Sequence, residues 1–304
     1  MSLITVPCGA CGGRQFQLKY PGTIHNPDDE PARYYSSSRA RAGHLDIVRC
    51  LDCGLLMTNP RDDDETIRGV YGALRDEAHE DEDDGRAPTV RALLSLVEAH
   101  RPAPGRLLDV GCATGVFVAM AAESGWTVTG VETSTWALGR ASQRCRQATF
   151  IQGSVEDLEF REASFDVVTM WNVLEHVSSP TEILARLRPW LAPDGRLFLS
   201  LPNAGSTTAR LMGRRWVLLL REHLWYFEPA TLSRVLHQSG FETMSTRPSA
   251  VTFSIRHALA RAAQHRGIAG QVASRMSGLP LMSRLRIRFR IGEMQVVARP
   301  SPAE

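Results

Sequence analysis

The sequence predicts an α/β protein built on a parallel sheet with helices on both faces, preceded by a small metal-stapled module. Three observations carry that prediction. From Pro88 onward, stretches with helical apolar spacing alternate with short apolar runs across short connections, the pattern of strands covered by crossover helices. Ahead of them stand two Cys-x-x-Cys pairs, a spacing that suits metal ligands. The chain has 304 residues, 43% hydrophobic and 22% charged, enough for one large core and a small satellite. That composition excludes a disordered chain, a collagen-like repeat and a disulfide miniprotein.

The formal charge of +2 gives no global pull toward nucleic acid, and Lys19 is the only lysine among the 35 cations. No run approaches the roughly 20 consecutive apolar residues of a membrane span. Residues 1–7 lack the charged-then-apolar layout of a signal peptide, so a cytoplasmic location is expected. Cysteines in such a compartment are read for metal rather than for disulfides.

The first element is the cysteine module, expected over residues 1–60. Cys8-Gly9-Ala10-Cys11-Gly12 and Cys50-Leu51-Asp52-Cys53-Gly54 each end in a glycine that lets the backbone turn its N–H groups toward thiolate sulfur. The stretch between the pairs exceeds the usual roughly 15–20 residues. It is rich in turns (Tyr20-Pro21-Gly22, Asn26-Pro27-Asp28) and polar residues (Ser36-Ser37-Ser38), and reads as an inserted loop. Cys8, Cys11, Cys50 and Cys53 form a closed four-thiolate set, expected to hold a structural Zn2+ that folds this module and leaves no position open for catalysis. Reduced, metal-free thiols are the alternative.

Residues 61–87 read as an acidic linker. Over 62–85, eleven acids face Arg68 and Arg75, a net −9. A short helix is expected around 66–74, followed by a solvated charge run. Tyr71 is an aromatic residue placed to fold over a ligand of the domain that follows.

That domain is expected over 88–304. Apolar residues at 90, 93, 94 and 97 give a helix over 89–100. Strands are expected at 106–110, 126–131, 148–151, 165–170 and 196–201, and helices at 116–124, 134–144 and 180–191. Residues 293–299 alternate as a last strand. Two segments interrupt the pattern. At about 203–228, Leu211, Met212, Trp216 and Val217 read as a lid packing on the core, with a membrane anchor as the alternative, flanked by Arg210, Arg214, Arg215 and Arg221, which either clamp a phosphate or carboxylate or are solvated. At about 250–292, the run 254–292 carries eight arginines and no acid, a net +8. It could meet anionic lipid, a glycolipid substrate, RNA or a second copy of the chain. Arg286, Arg288 and Arg290 alternate with apolar residues and fit a plain edge strand equally well.

The chemistry concentrates in Leu107-Leu108-Asp109-Val110-Gly111-Cys112-Ala113-Thr114-Gly115, a strand that ends in an acid and a glycine-rich turn opening a helix. Small residues there let the backbone approach a ligand, and the helix N-terminus supplies free N–H groups. The next strand ends in Val131-Glu132, where a carboxylate can accept both hydroxyls of a ribose. A dinucleotide-binding domain would share this much. The deciding segments are Gln152-Gly153-Ser154-Val155-Glu156-Asp157-Leu158 and Phe165-Asp166-Val167-Val168-Thr169-Met170-Trp171-Asn172-Val173-Leu174-Glu175-His176-Val177. With them, residues 88–245 resemble the class I S-adenosylmethionine-dependent methyltransferases, and more narrowly the bacterial small-molecule group that includes ubiquinone-type methyltransferases. Leu191-Ala192-Pro193-Asp194-Gly195-Arg196-Leu197 and Ser239-Gly240-Phe241 reinforce the resemblance.

The resemblance implies a Rossmann-like seven-stranded methyltransferase sheet, mostly parallel with one antiparallel strand, and S-adenosyl-L-methionine as cofactor. It implies that Asp109, Gly111, Ala113 and Gly115 shape the methionine and ribose pocket, with Cys112 fitting as a small residue. Glu132 would hold the ribose hydroxyls, with Thr133 beside it. Family members carry Gly-Asp where this chain has Gly153-Ser154, so the adenine amino contact passes to the Ser154 hydroxyl or to Glu156 or Asp157. Val155 would offer its N–H to adenine, and Trp171 its carbonyl to the methionine ammonium.

Methyl transfer needs alignment above all, plus a base for the acceptor's proton. His176, just past the fourth strand, and His223, where related proteins carry His-Leu-x-x-Phe, are the catalytic candidates; each could instead anchor its own loop. The leading expectation is O-methylation of a small-molecule or saccharide acceptor in a natural-product or polysaccharide pathway. Asn59-Pro60-Arg61 after the cysteine pairs strengthens that resemblance. C-methylation of a similar acceptor, RNA methylation and a non-catalytic cofactor-binding assembly protein are the alternatives. Nucleic acid is disfavoured, because the fourth-strand exit lacks the Pro-Pro-aromatic loop of base methylation and the −9 segment repels phosphate. An oligomer is compatible with the basic insertion.

Overall fold

The computed structural model describes residues 3–24, 30–35, 43–80, 82–262, 271, 275–277, 279, 281–282 and 285–302. The Asn26-Pro27-Asp28 and Ser36-Ser37-Ser38 turns, Asp81, and Arg266 and Arg284 of the basic insertion lie outside the described residues.

The N-terminal module holds β1 (Leu3–Ile4), β2 (Phe16–Tyr20), β3 (Ile47–Cys50), β4 (Leu56–Thr58) and β5 (Arg61–Asp62). Helices α1 (Asp64–Ala73), α2 (Glu77–Glu80) and α3 (Asp83–His100) follow. Asp63 starts α1 by accepting the Thr66 N–H on its side chain. The alternating region then runs β6 (Arg106–Val110), α4 (Val116–Glu123), β7 (Thr127–Glu132), α5 (Thr135–Arg144), β8 (Thr149–Gln152), β9 (Phe165–Trp171), α6 (Pro180–Trp190) and β10 (Leu191–Pro202). It closes with α7 (Thr207–Met212), β11 (Trp225–Tyr226), α8 (Pro229–Gln238), β12 (Phe241–Ser254), α9 (Ile255–Ala262) and β13 (Arg286–Pro300).

The large sheet has seven strands in the order β12-β13-β10-β9-β6-β7-β8, and β13 alone runs antiparallel, against both β10 and β12. Leu107, Leu108, Val167, Val168, Leu197 and Leu199 are fully buried along its centre, as expected where helices cover both faces. Successive strands proceed one way from β6 to β7 and β8, and the other way through β9 and β10. The strand order thus reverses between β6 and β9, and the crevice beyond their carboxyl ends is where such sheets bind ligands. Among the described residues, no helix is long and apolar enough to cross a membrane.

Three expectations change. The acidic segment is not a wholly solvated run, because several of its charges are buried against partners, some of them far along the chain. Asp62 pairs with Arg221, Asp83 with Arg86 and Arg144, and Glu82 accepts from the N–H and hydroxyl of Ser254. Asp62, Asp76, Glu82 and Asp83 are all buried, and α3 starts at Asp83, ahead of the expected 89. In the first half of the 203–228 segment, Arg210, Leu211, Arg214, Arg215 and Val217 are exposed. Its second half is interior. Leu224, Trp225, Tyr226 and Phe227 are buried, and β11 adds to β4 with Trp225 opposite Met57 and Tyr226 opposite Leu56. Finally, Arg286, Arg288 and Arg290 belong to β13, whose first residues pair with the end of β12 from Val251 to Ser254.

Candidate active site

At the carboxyl end of β6, the glycine-rich turn is tied to its neighbour strand. The N–H groups of Gly111 and Cys112 both donate to the Val131 carbonyl, at 2.8 and 3.0 Å. Two glycines are required by shape. Gly111 has φ +73°, and a Cβ there would meet the Val173 side chain at 2.5 Å; Gly115 has φ +76°, and its Cβ would meet Ala141 at 2.8 Å. Gly115 therefore lets α4 start against α5, and Gly111 lets the exit loop of β9 lie over the turn. Glu132 braces the turn from below. It accepts the Ala113 N–H at 3.0 Å, the Ser134 N–H at 2.9 Å and the Thr133 hydroxyl at 3.2 Å.

Asp109 is buried behind this turn and accepts a 2.7 Å hydrogen bond from the Thr169 hydroxyl. Burial lifts its pKa to about 7, the Thr169 bond opposes the shift, and the charge of Glu132 adds to it. Cys112 is buried too, and burial pushes its thiol up. At the end of β8, the Ser154 hydroxyl accepts the Glu156 N–H at 3.3 Å and its carbonyl accepts the Asp157 N–H at 3.0 Å, so it shapes a turn; the Val155 side chain is buried. Trp171, at the end of β9, meets Phe117 edge-on at 5.2 Å. The fold thus gathers Asp109, Gly111, Cys112, Ala113, Gly115, Glu132, Thr133, Ser154, Val155 and Trp171 at one edge, the carboxyl ends of β6, β7, β8 and β9.

The two candidate histidines meet at the same edge. Their rings are 4.8 Å apart, centre to centre. His176 Nδ1 lies 2.9 Å from the Glu222 carbonyl and 2.8 Å from the Tyr71 hydroxyl, while His223 Nδ1 lies 2.8 Å from the Leu218 carbonyl. Burial lowers both: His176 to about 4, with the Glu222 carbonyl opposing, and His223 well below its ordinary value, with His176 adding to the shift. Tyr71 joins this site through its contact with His176. Burial first, then the charges of Glu222, Tyr35, Glu175 and Glu132, keep its phenol protonated. Rings of Tyr35, Tyr71, His176 and His223 form a continuous edge-to-face row from the N-terminal module through α1 to the second half of the 203–228 segment.

Several residues in this site escaped sequence reasoning. Glu175 is 1% exposed, directly before His176. Arg221 and Asp62 form a two-pronged ion pair at 2.8 and 2.6 Å, and Tyr35 donates to the same carboxylate. Arg221 is therefore engaged by an acid of its own chain and does not clamp an acceptor. The adjacency of Glu175 and His176 was a usable signal; the pairing of residues 62 and 221 had none.

The four N-terminal cysteines converge. Cys8 and Cys53 sulfurs are 3.5 Å apart, those of Cys11 and Cys50 are 3.6 Å apart, and all four lie within 4.8 Å of one another. Sulfurs bonded tetrahedrally at about 2.3 Å to one ion sit about 3.8 Å apart, so the set fits a tetrahedral metal. The cluster is seated on the larger domain. Trp225 lies beneath Gly9, the Thr181 hydroxyl donates to the Gly9 carbonyl at 3.1 Å, and Arg234 donates to the Cys53 carbonyl at 2.8 Å.

Comparison with known proteins agrees with this geometry. The ubiquinone biosynthesis O-methyltransferase of Aromatoleum aromaticum is 29% identical over 167 residues, 49% of this chain and 71% of that protein. Its counterpart in Thiobacillus denitrificans is 31% identical over 167 residues, 49% of this chain and 70% of that protein. The structure of magnesium protoporphyrin IX methyltransferase from Synechocystis PCC 6803 with bound S-adenosylhomocysteine shares the fold. Its TM-score is 0.52 at 17% identity, over 79% of this chain and all of that one. The methyltransferase domain family itself matches residues 83–246. With more than half of its length inside that match, the chain belongs to the methyltransferase domain family and is an S-adenosylmethionine-dependent methyltransferase.

Proposed function

We propose that the enzyme transfers the methyl group of S-adenosylmethionine to an oxygen of a small-molecule or saccharide acceptor, in a natural-product or polysaccharide pathway. The observation that carries this reading is the pairing of His176 with His223 beside the turn at Gly111, to which the β9 exit loop is joined through Val173. In this reading, Asp109, Gly111, Cys112, Ala113 and Gly115 surround the methionine and ribose. Glu132 and Thr133 meet the ribose hydroxyls, Ser154 and Val155 face adenine, and the Trp171 carbonyl receives the ammonium. The glycine positions support it, since both lack room for a side chain.

The acceptor lies toward Tyr71, His176 and His223. The Leu218 carbonyl at His223 Nδ1 leaves the Nε2 of that ring as a free basic nitrogen. The relatives named as O-methyltransferases support oxygen as the acceptor atom. Zn2+ at Cys8, Cys11, Cys50 and Cys53 holds the N-terminal module in place, which the sulfur spacing supports.

Calorimetry with S-adenosylhomocysteine is expected to show one site per chain. Labelled S-adenosylmethionine offered with phenolic and sugar acceptors should yield a product whose new carbon is a methoxy group by NMR. A folded protein that gives no heat sinks the cofactor reading, and a product methylated on carbon or nitrogen sinks the choice of oxygen.

A further inference from the structure

Glu175 is held where a carboxylate is costly. Its side chain is 1% exposed, and neither of its oxygens has a hydrogen-bond partner among the described residues. Beside it stand two imidazoles. His176 Nε2 is 3.9 Å from Glu175 Oε1. A carbonyl only accepts, so the contact of His223 with Leu218 places its imidazole proton on Nδ1, while His176 Nδ1 lies between the Glu222 carbonyl and the Tyr71 hydroxyl and carries the proton when it donates to Glu222. The Nε2 of His223 then presents an unshared pair, and that of His176 does so in the tautomer that donates to Glu222. Imidazoles anchored by Nδ1–H to a backbone carbonyl, with the opposite nitrogen left free, are oriented as metal-ligating histidines are. One ligand atom each from Glu175, His176 and His223 lies within 4.8 Å of the others. A cation among them would answer all three lone pairs at once.

We propose that Glu175, His176 and His223 bind a divalent transition-metal ion that coordinates the acceptor oxygen. Two imidazoles and one carboxylate suit manganese, iron, cobalt or zinc, not the all-oxygen surroundings of calcium or magnesium. Bonds of about 2.1 Å would draw the three ligand atoms closer together, and three protein ligands leave positions open. The side of the triad nearest solvent is His176, whose side chain is 17% exposed, and the acceptor enters there. The role in catalysis rests on the methyl-transfer reading above. The metal-bound acceptor hydroxyl gives its proton to solvent, and the oxygen lone pair attacks the methyl carbon. The carbon–sulfur bond breaks with its electrons passing to sulfur, giving a methyl ether, S-adenosylhomocysteine and one proton. With the ion bound, the histidines act as ligands and not as free bases.

The test titrates Co2+ into the full-length protein with its four-cysteine site already loaded with zinc. Visible absorption and total metal content are followed together. One Co2+ per chain is expected, with the weak absorption of a nitrogen–oxygen site, lacking the intense thiolate bands of cobalt on sulfur. In water, two exchangeable imidazole N–H protons should appear as cobalt-shifted NMR signals. Glu175→Gln and His223→Gln should each weaken binding at least tenfold. Binding of S-adenosylhomocysteine by calorimetry is read in each protein, so that a misfolded variant, or failure of the methyltransferase reading, is seen separately. Absence of a cobalt site outside the cysteines overturns the proposal. So do missing shifted N–H signals in the unsubstituted protein, or unchanged cobalt affinity in variants that still bind S-adenosylhomocysteine.

Discussion

Asp109 sits behind the glycine-rich turn with one hydrogen bond and a second carboxylate nearby, and its pKa stands at about 7 against an ordinary 3.8. A carboxyl shifted upward holds its proton more tightly in the fold than in the unfolded chain. Its contribution to stability is therefore fully present below about pH 4 and is lost as pH rises through 7. Thermal melts of the ligand-free protein between pH 4 and 8 should show this loss, and Asp109→Asn should remove that part of the dependence. Identical pH profiles for the two proteins would refute the shift. At this scale the sequence was readable wherever chemistry follows from neighbours. Glu132 at a strand end, His176 past the fourth strand and the glycines of the turn all stand where local pattern placed them. Arg221 was not readable, because the acid that neutralises it is 159 positions away. A charge's fate depends on such a partner more than on the residues beside it.

Among the elements, the strands and helices of the parallel sheet were legible, since apolar period and short connections repeat from β6 to β10. The elements that escaped are those held by tertiary partners alone. β11 is two residues long and has no period of its own; it is a strand because β4 offers it an edge. Its Trp225 is 1% exposed, donates its indole N–H to the Val177 carbonyl at 2.7 Å and packs under Gly9. Trp225→Ala should therefore cost about 3–5 kcal/mol, as large buried aromatics do, read from denaturant unfolding. A cost below about 1 kcal/mol, the range of surface positions, would show that β11 is not a joint between the two parts.

For the whole molecule, the near-neutral total charge hides internal pairing. The acids at 62, 82 and 83 are consumed by Arg221, Ser254, Arg86 and Arg144, so the acidic stretch fastens the domain it precedes. The N-terminal module is joined to that domain by a common sheet, by Trp225 and by Arg234 on Cys53. Removal of the proposed zinc by a chelator should thus be felt beyond the cysteines. Hydrogen exchange is expected to speed up in β2, β3, β4 and β11 together, while β6 to β9 keep their protection. Faster exchange confined to residues 8–13 and 50–54 would show that the metal serves only its own loops.

The sharing of one sheet by β4 and β11 also sets an order of events during synthesis. β4 ends at Thr58, and its partner is not made until Tyr226. The ribosome needs roughly 10–30 s to cover that distance at about 5–20 residues/s. During that interval the nascent N-terminus carries an open strand edge of the kind that recruits other chains. Metal capture by the cysteines would leave that edge open until β11 arrives, so the hazard ends with the synthesis of Tyr226 and not with metal binding.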